Sequence, residues 1–133
     1  MEKLMLTAGE VWKRDDEIVV IKFADQRALD YDDMEEIFGA YARLTNDSPH
    51  KVLIISGEQG TASRDGREHA QKTVLPCLAE AIVVHSYAQR IISNIYIAFK
   101  KCTYPIKLFN EVEEAIDWLR ELDGQQNSDL ATG

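Results

Sequence analysis

The residues best suited to chemistry lie between Ser56 and Arg67, in the run Ser-Gly-Glu-Gln-Gly-Thr-Ala-Ser-Arg-Asp-Gly-Arg. Ser56, Thr61 and Ser63 supply hydroxyls, and Arg64 and Arg67 supply guanidiniums. The pattern predicts a helix start at Ser63, where unpaired backbone N–H groups and the helix dipole favour an anion. Arg64 and Arg67, spaced i and i+3, share a helix face and can grip a phosphate or carboxylate. A phosphate on Ser63 would add about −1.5 to −2 charge at neutral pH and reverse the sign of this surface. The same residues also read as an ordinary capped start. In that reading Ser63 or Thr61 is the cap and Arg64 pairs with Glu68 at i+4.

His85 and Ser86 follow a predicted strand at the same edge of the sheet and mark the border of a cleft. A histidine there has an ordinary pKa near neutrality and could act as a base, but no serine or cysteine nucleophile can be assigned to it, so no catalytic residue is expected and an enzyme using His85 is the weaker reading. His69 reads as a solvated surface histidine. Cys77, after Pro76 in an apolar context, reads as core filler. Gly57 and Gly60 lack both the Gly-Lys-Ser/Thr and the Gly-x-Gly-x-x-Gly patterns of nucleotide loops. Asp32, Asp33, Glu35 and Glu36 cluster without a matching histidine. They suit a helix start rather than a metal, and no metal or cofactor is expected.

The elements that must position these groups follow from periodicity. Val52-Leu53-Ile54-Ile55 is a continuous apolar run, the mark of a strand covered on both faces. Its C-terminal loop is where open α/β sheets place ligands and partners. Leu4–Arg14 and Glu17–Phe23, separated by Asp15-Asp16, predict an opening β-hairpin with Trp12 on the outer strand. Asp30 with Asp33 predicts a capping box, and Met34, Ile37, Phe38, Tyr41 and Leu44 give its helix an apolar face. Asn46-Asp47-Ser48-Pro49 ends that helix. A helix from Ser63 runs to about Lys72. Ala81-Ile82-Val83-Val84 is the next buried strand, and Ser86 caps a further helix. That helix is expected to bury Ala88, Ile91, Ile92, Ile95 and Phe99, leaving Tyr96 and Ile97 off the stripe. Ile106–Phe109 is a last strand. Asn110 with Glu113 predicts a second capping box, and Ala115, Ile116, Leu119 and Leu122 the apolar side of the final helix. Strands alternating with helices imply right-handed crossovers and a mainly parallel sheet. The fold class is therefore α/β: a five-stranded, mostly parallel sheet with an N-terminal antiparallel hairpin and about four helices. The domain is expected over 1–123, with an unpatterned, disordered tail over 124–133.

Composition narrows the partners. The 133 residues carry 23 acids against 15 bases, a formal net charge of −8. Nucleic acid and anionic membrane demand a net basic face, so neither is expected. No apolar run reaches the length of a membrane span, and no secretory leader is recognised. Cys77 and Cys102 form no motif and read as reduced thiols of a cytoplasmic protein. Tyr96, Ile97 and Trp12, left outside the predicted core, suggest a homodimer.

Several blocks resemble a known group. They are Val11–Val19, Ser63–Glu68, Ala81–Val84, Ser93-Asn94, Tyr104–Phe109 and Glu113–Leu119. The chain is similar over about Gly9–Leu122 to small bacterial proteins with the fold of the anti-sigma-factor antagonists, the STAS-like or SEC14-like group. Tyr104-Pro105-Ile106-Lys107-Leu108-Phe109 through Trp118-Leu119 is the most specific part. The resemblance implies a single STAS-like domain and a non-enzymatic regulatory or protein-interaction module. In the antagonists, phosphorylation of one serine at a helix start after the third strand switches binding of a partner kinase. Ser63 stands at a comparable offset. Ala62 replaces the aspartate of that motif, and Arg64-Asp65 intervene before Gly66. The SEC14-like side implies instead a small apolar or lipid ligand.

Overall fold

A computed structural model describes residues 2–132, with side chains described over 2–122. The chain order is β1 (Lys3–Met5), β2 (Gly9–Lys13), β3 (Val19–Phe23), β4 (Ala28–Leu29), α1 (Tyr31–Thr45), β5 (His50–Ile55), β6 (Thr61–Ala62), α2 (Arg64–Lys72), β7 (Cys77–Val83), α3 (Tyr87–Phe99), β8 (Ile106–Phe109) and α4 (Val112–Thr132). The tail expected over 124–133 lies outside the residues described in full.

The α/β class and the four helices hold, but the main sheet has six strands rather than five, in the order β1-β2-β3-β5-β7-β8. The sixth arises because Leu4–Arg14 is not one strand. The chain reverses at Thr7-Ala8, where the Leu6 N–H donates to the Gly9 carbonyl at 2.8 Å, and β1 pairs antiparallel with β2. Gly9 permits the reversal. Its φ is +154°, and a Cβ there would lie 2.1 Å from the Lys22 carbonyl oxygen. Trp12 is therefore not on the edge of the sheet; β1 flanks its strand and the Lys3 ammonium lies 4.3 Å from its ring centroid.

β2 pairs antiparallel with β3, and β3, β5, β7 and β8 are parallel. A second, two-stranded sheet pairs β4 with β6 and joins the entries to α1 and α2. The parallel strands follow one another across the sheet in chain order. Right-handed crossovers then place α1, α2 and α3 on one face, and α4, which follows the last strand, lies against β5, β7 and β8.

Two cores result. On the α4 face, Val20, Leu53, Ala79, Ala81 and Val83 pack against Ala115 and Leu119. On the other, Val11, Val19, Ile21 and Val52 pack against Met34, Ile37, Ala40 and Tyr41 of α1. The Asp30–Asp33 capping box forms as expected: each side chain accepts from the other residue's backbone N–H. Asp33 also accepts both prongs of Arg27 at 2.9 Å, which, with these backbone bonds, holds its carboxyl below the usual range despite burial. The expected Asn110 cap is not made. α4 starts at Val112, and the Asn110 side-chain oxygen accepts from Arg90 at 2.6 Å.

Candidate functional site

The loop after β5 is held by backbone and side-chain bonds rather than left open. Ser63 is the N-cap of α2. Its hydroxyl accepts from the Gly66 N–H at 3.3 Å, and its single proton is shared between the Leu29 carbonyl, at 3.1 Å, and the Asp65 carboxylate. That contact is the main cause of the lowered Asp65 pKa. Gly66 is needed for this close approach, since a Cβ there would lie 2.2 Å from the Leu29 carbonyl oxygen. Arg64 pairs with Glu68 at 3.0 Å, and Arg67 turns back to the Ala62 carbonyl at 2.7 Å. The two guanidiniums therefore do not converge on Ser63. Thr61 is exposed on β6, and its N–H donates to the Arg27 carbonyl.

His85 and Ser86 lie where the sequence places them, with structural partners. The Nε2–H of His85 donates to the Ser56 carbonyl at 2.8 Å, and Ser86 caps α3 by accepting from the Gln89 N–H at 3.1 Å. The residue that organises this edge is Gln89. Buried, it donates to the carbonyls of Gly57 and Gly60 at 2.8 and 3.0 Å. It also accepts from the His85 N–H at 2.8 Å. His69 is not simply solvated: its ring stacks on Tyr31 with centroids 4.1 Å apart, and Nε2 contacts Glu35.

The orientation of α3 corrects the expected stripe at Ala88, Ile91, Ile95 and Phe99, which are exposed, while Ile92 turns inward as expected. Tyr87 is 78% exposed, Phe99 66%, and Ile91 and Ile95 just under half. The opposite face, with Gln89, Ile92, Ser93 and Tyr96 and the following Lys100, turns inward. Tyr96 therefore belongs to the interior and is no part of an exposed patch. The main neighbours of α3 are α2 and β8, so it stands away from the centre of the sheet.

Beneath it is a cavity of about 180 Å³. Its wall is mostly apolar: Ile21, Phe23, Met34, Ile37, Ile54 and Ile82 are among its residues, and Ser56, Thr61 and Arg67 reach its border. A second group of polar side chains in the wall, Tyr96, Lys100 and Tyr104, surrounds Glu80. Glu80 lies in mid-strand on β7, between Val52 of β5 and Ile106 of β8, and is 6% exposed. The Tyr96 hydroxyl donates to its Oε1 at 3.4 Å. Among the described residues, Oε2 has no hydrogen-bond partner. Lys100 donates to the carbonyls of Ala70 and Thr73 at 2.8 and 2.6 Å. The Tyr41 hydroxyl donates to the Pro76 carbonyl at 2.6 Å.

Burial sets the electrostatics of this end. It raises the Glu80 pKa, a shift that Lys100 and Tyr96 oppose. It lowers Lys100, which Glu80 pulls back. It pushes the Cys77 thiol up to about 12, so that group is inert at neutral pH. Tyr41, Tyr96 and Tyr104 are likewise held protonated. Neither cysteine forms a disulfide. No cluster of metal-ligating side chains occurs among the described residues, and among them no helix is long and apolar enough to cross a membrane.

Sequence reasoning missed Glu80, Gln89 and Lys100. Glu80 is a lone charge inside Cys-Leu-Ala-Glu-Ala-Ile-Val-Val, one residue before the apolar run Ala81–Val84 that marks the strand.

Comparison with known proteins gives a family whose function is unknown. No curated protein matches the chain. A crystal structure of a protein of unknown function from Arthrobacter sp. FB24 is 18% identical, covering 83% of this chain and 97% of that one, at a TM-score of 0.32. A family model described as "Domain of unknown function (DUF7793)" matches residues 11–123. The chain belongs to that family.

Proposed function

We propose that this domain is a non-enzymatic binder of a small, mainly apolar molecule, held between the sheet and α1–α3. This is the SEC14-like side of the resemblance. The observation that carries it is the cavity of about 180 Å³ beneath α3. Protein interiors are ordinarily close-packed, and a void of roughly 150 Å³ is enough to admit a benzene-sized ring. An apolar wall with a few convergent polar groups is the usual composition of a ligand pocket. The test is native mass spectrometry of the purified protein, followed by thermal unfolding with ring-sized apolar compounds. A retained mass, or a melting temperature that rises with ligand concentration as linkage requires, is the expected result. A protein that carries nothing and is stabilised by none of them contradicts the proposal.

The outward face of α3 favours a second reading, a protein-interaction surface. Tyr87, Ile91, Ile95 and Phe99 recur every four residues and expose one apolar stripe. Such stripes are uncommon on monomers. We take the occupant to be a second copy of the chain, two identical stripes meeting about a two-fold axis. Light scattering at tens of micromolar should give a dimer mass; a monomer mass removes this reading.

A further inference from the structure

From Glu80, a residue that lines the cavity and whose buried Oε2 has no partner among the described residues, we infer that the ligand is an uncharged, ring-sized molecule carrying a hydroxyl group, which bonds Glu80. This deepens the ligand-binding proposal and rests on it.

Three observations select that chemistry. The first is the orphan itself. Buried polar atoms are almost always partnered, and an acceptor left alone in an apolar wall is costly. Here Oε1 has Tyr96 and Oε2 has no partner among the described residues. The second is the balance of charge. Glu80 shares its surroundings with Lys100, and Arg67 stands at the cavity's border. The other groups near Glu80 are Tyr41 from α1, Cys77 from β7, Tyr96 from α3 and Tyr104 from the α3–β8 connection, all neutral. A cationic ligand would be drawn by the Glu80 carboxylate, but that charge is already offset by Lys100, so a cation would leave a net positive charge in a low-dielectric space. An anionic ligand would face the carboxylate, and the Lys100 ammonium is already engaged by two backbone carbonyls. An uncharged ligand meets neither obstacle. The third is the versatility of a hydroxyl, which donates to a carboxylate and accepts from a carboxylic acid. It therefore satisfies Oε2 in either protonation state of Glu80.

The test compares para-cresol with para-xylene by isothermal titration, two molecules of nearly one shape that differ by hydroxyl against methyl. Transfer from water favours xylene. A cresol preference therefore has to come from the site, and it is expected to be on the order of tenfold or more. Glu80→Gln keeps a donor and an acceptor and should retain the preference. Glu80→Met, unbranched and of similar volume, should reverse it. Equal binding of both probes, or tighter xylene, in the wild type overturns the hydroxyl inference and leaves a purely apolar pocket. A cresol preference that survives Glu80→Met assigns the hydroxyl to another group and also overturns it. Binding of neither probe overturns this inference together with the ligand-binding proposal. The wild-type comparison decides the matter even if a variant fails to fold.

Discussion

The two faces of the sheet are built to different standards. On the α4 face the strands present small side chains, Ala79 and Ala81, to Ala115 of the helix, all fully buried. Helix and sheet can then approach closely, and Leu53, Val83 and Leu119 fill the remaining space. Even the buried Lys51 ammonium there is used, donating to the Leu119 carbonyl. On the opposite face three helices cover the strands and still leave a cavity of about 180 Å³. Buried polar side chains, Asp33, Glu80 and Gln89, collect on or beside that face. Dispersion and apolar burial reward the first arrangement. The second forgoes part of both, and leaves a carboxylate oxygen without a partner among the described residues. A fold that packs one face closely has no general difficulty in packing, and the proposed ligand would account for the space left on the other.

The largest expected effect belongs to the packed face. Leu119→Ala removes a fully buried side chain from a site with little room to collapse, and should cost about 2–5 kcal/mol in urea denaturation. Cresol binding in the surviving folded fraction should be unchanged. A cost below about 1 kcal/mol would mean that the α4 face is as loose as the other, and the contrast would fail.

Glu80→Gln should act in the opposite direction. Burial raises the Glu80 pKa, so the folded chain holds that proton more tightly than the unfolded chain does. The resulting stability is fully present below the unfolded value, about 4.3. It is lost as pH rises through the raised folded value. Glutamine does not titrate, so the variant should gain on the wild type between acid and neutral pH, by about 1–3 kcal/mol at pH 7. Lys100 keeps its two carbonyl acceptors in the variant, which limits the offsetting loss. Parallel pH profiles for wild type and variant would show that Glu80 does not titrate as described.

How much of this was legible depends on what periodicity encodes. The Asp30–Asp33 box, the Ser63 and Ser86 caps, and the strands at Val52–Ile55 and Ile106–Phe109 follow from local chemistry, and all of them form. The α3 pattern correctly gave a helix with an apolar side, but not the direction that side faces. Gln89, Ser93, Tyr96 and Lys100 lie at helical spacing too, and it is their face that turns inward. The inward face meets Glu80, which lies outside the helix pattern on the first half of a neighbouring strand, ahead of the apolar run Ala81–Val84. Likewise the guanidinium partners of the 56–67 loop, Glu68 and the Ala62 carbonyl, were within reach of sequence reasoning only for Arg64. The Ala62 carbonyl depends on where β6 ends and α2 begins.

Ser63→Ala tests the rim of the open face and should cost about 1 kcal/mol, the usual worth of a helix cap. The hydroxyl is lost to both the Gly66 N–H and the Leu29 carbonyl, so α2 should fray at its start while the cavity wall beyond it remains. Hydrogen exchange should quicken at Gly66 and Arg67, with cresol affinity held within a few-fold. If cresol affinity collapses instead, the loop is part of the ligand site and the boundary drawn between cap and cavity is wrong.

The smallest expected effect on stability separates the two sides of α3. Ile95 lies at the centre of the outward stripe and is 46% exposed. Replacing it with glutamate leaves the inward residues Gln89, Ile92 and Tyr96 untouched, and substitutions at such surface sites usually change stability by within about 0.5 kcal/mol. Its consequence should appear in association. In a two-fold interface the same residue occurs on both copies, so one substitution places two carboxylates in or near a single apolar contact. Repulsion and desolvation then add. Light scattering of Ile95→Glu should give the monomer mass at concentrations where the wild type gives a dimer, with the cresol preference intact. If association and ligand binding are lost together, the two faces of α3 are coupled, and the helix that roofs the cavity is also the element through which a partner would sense its contents.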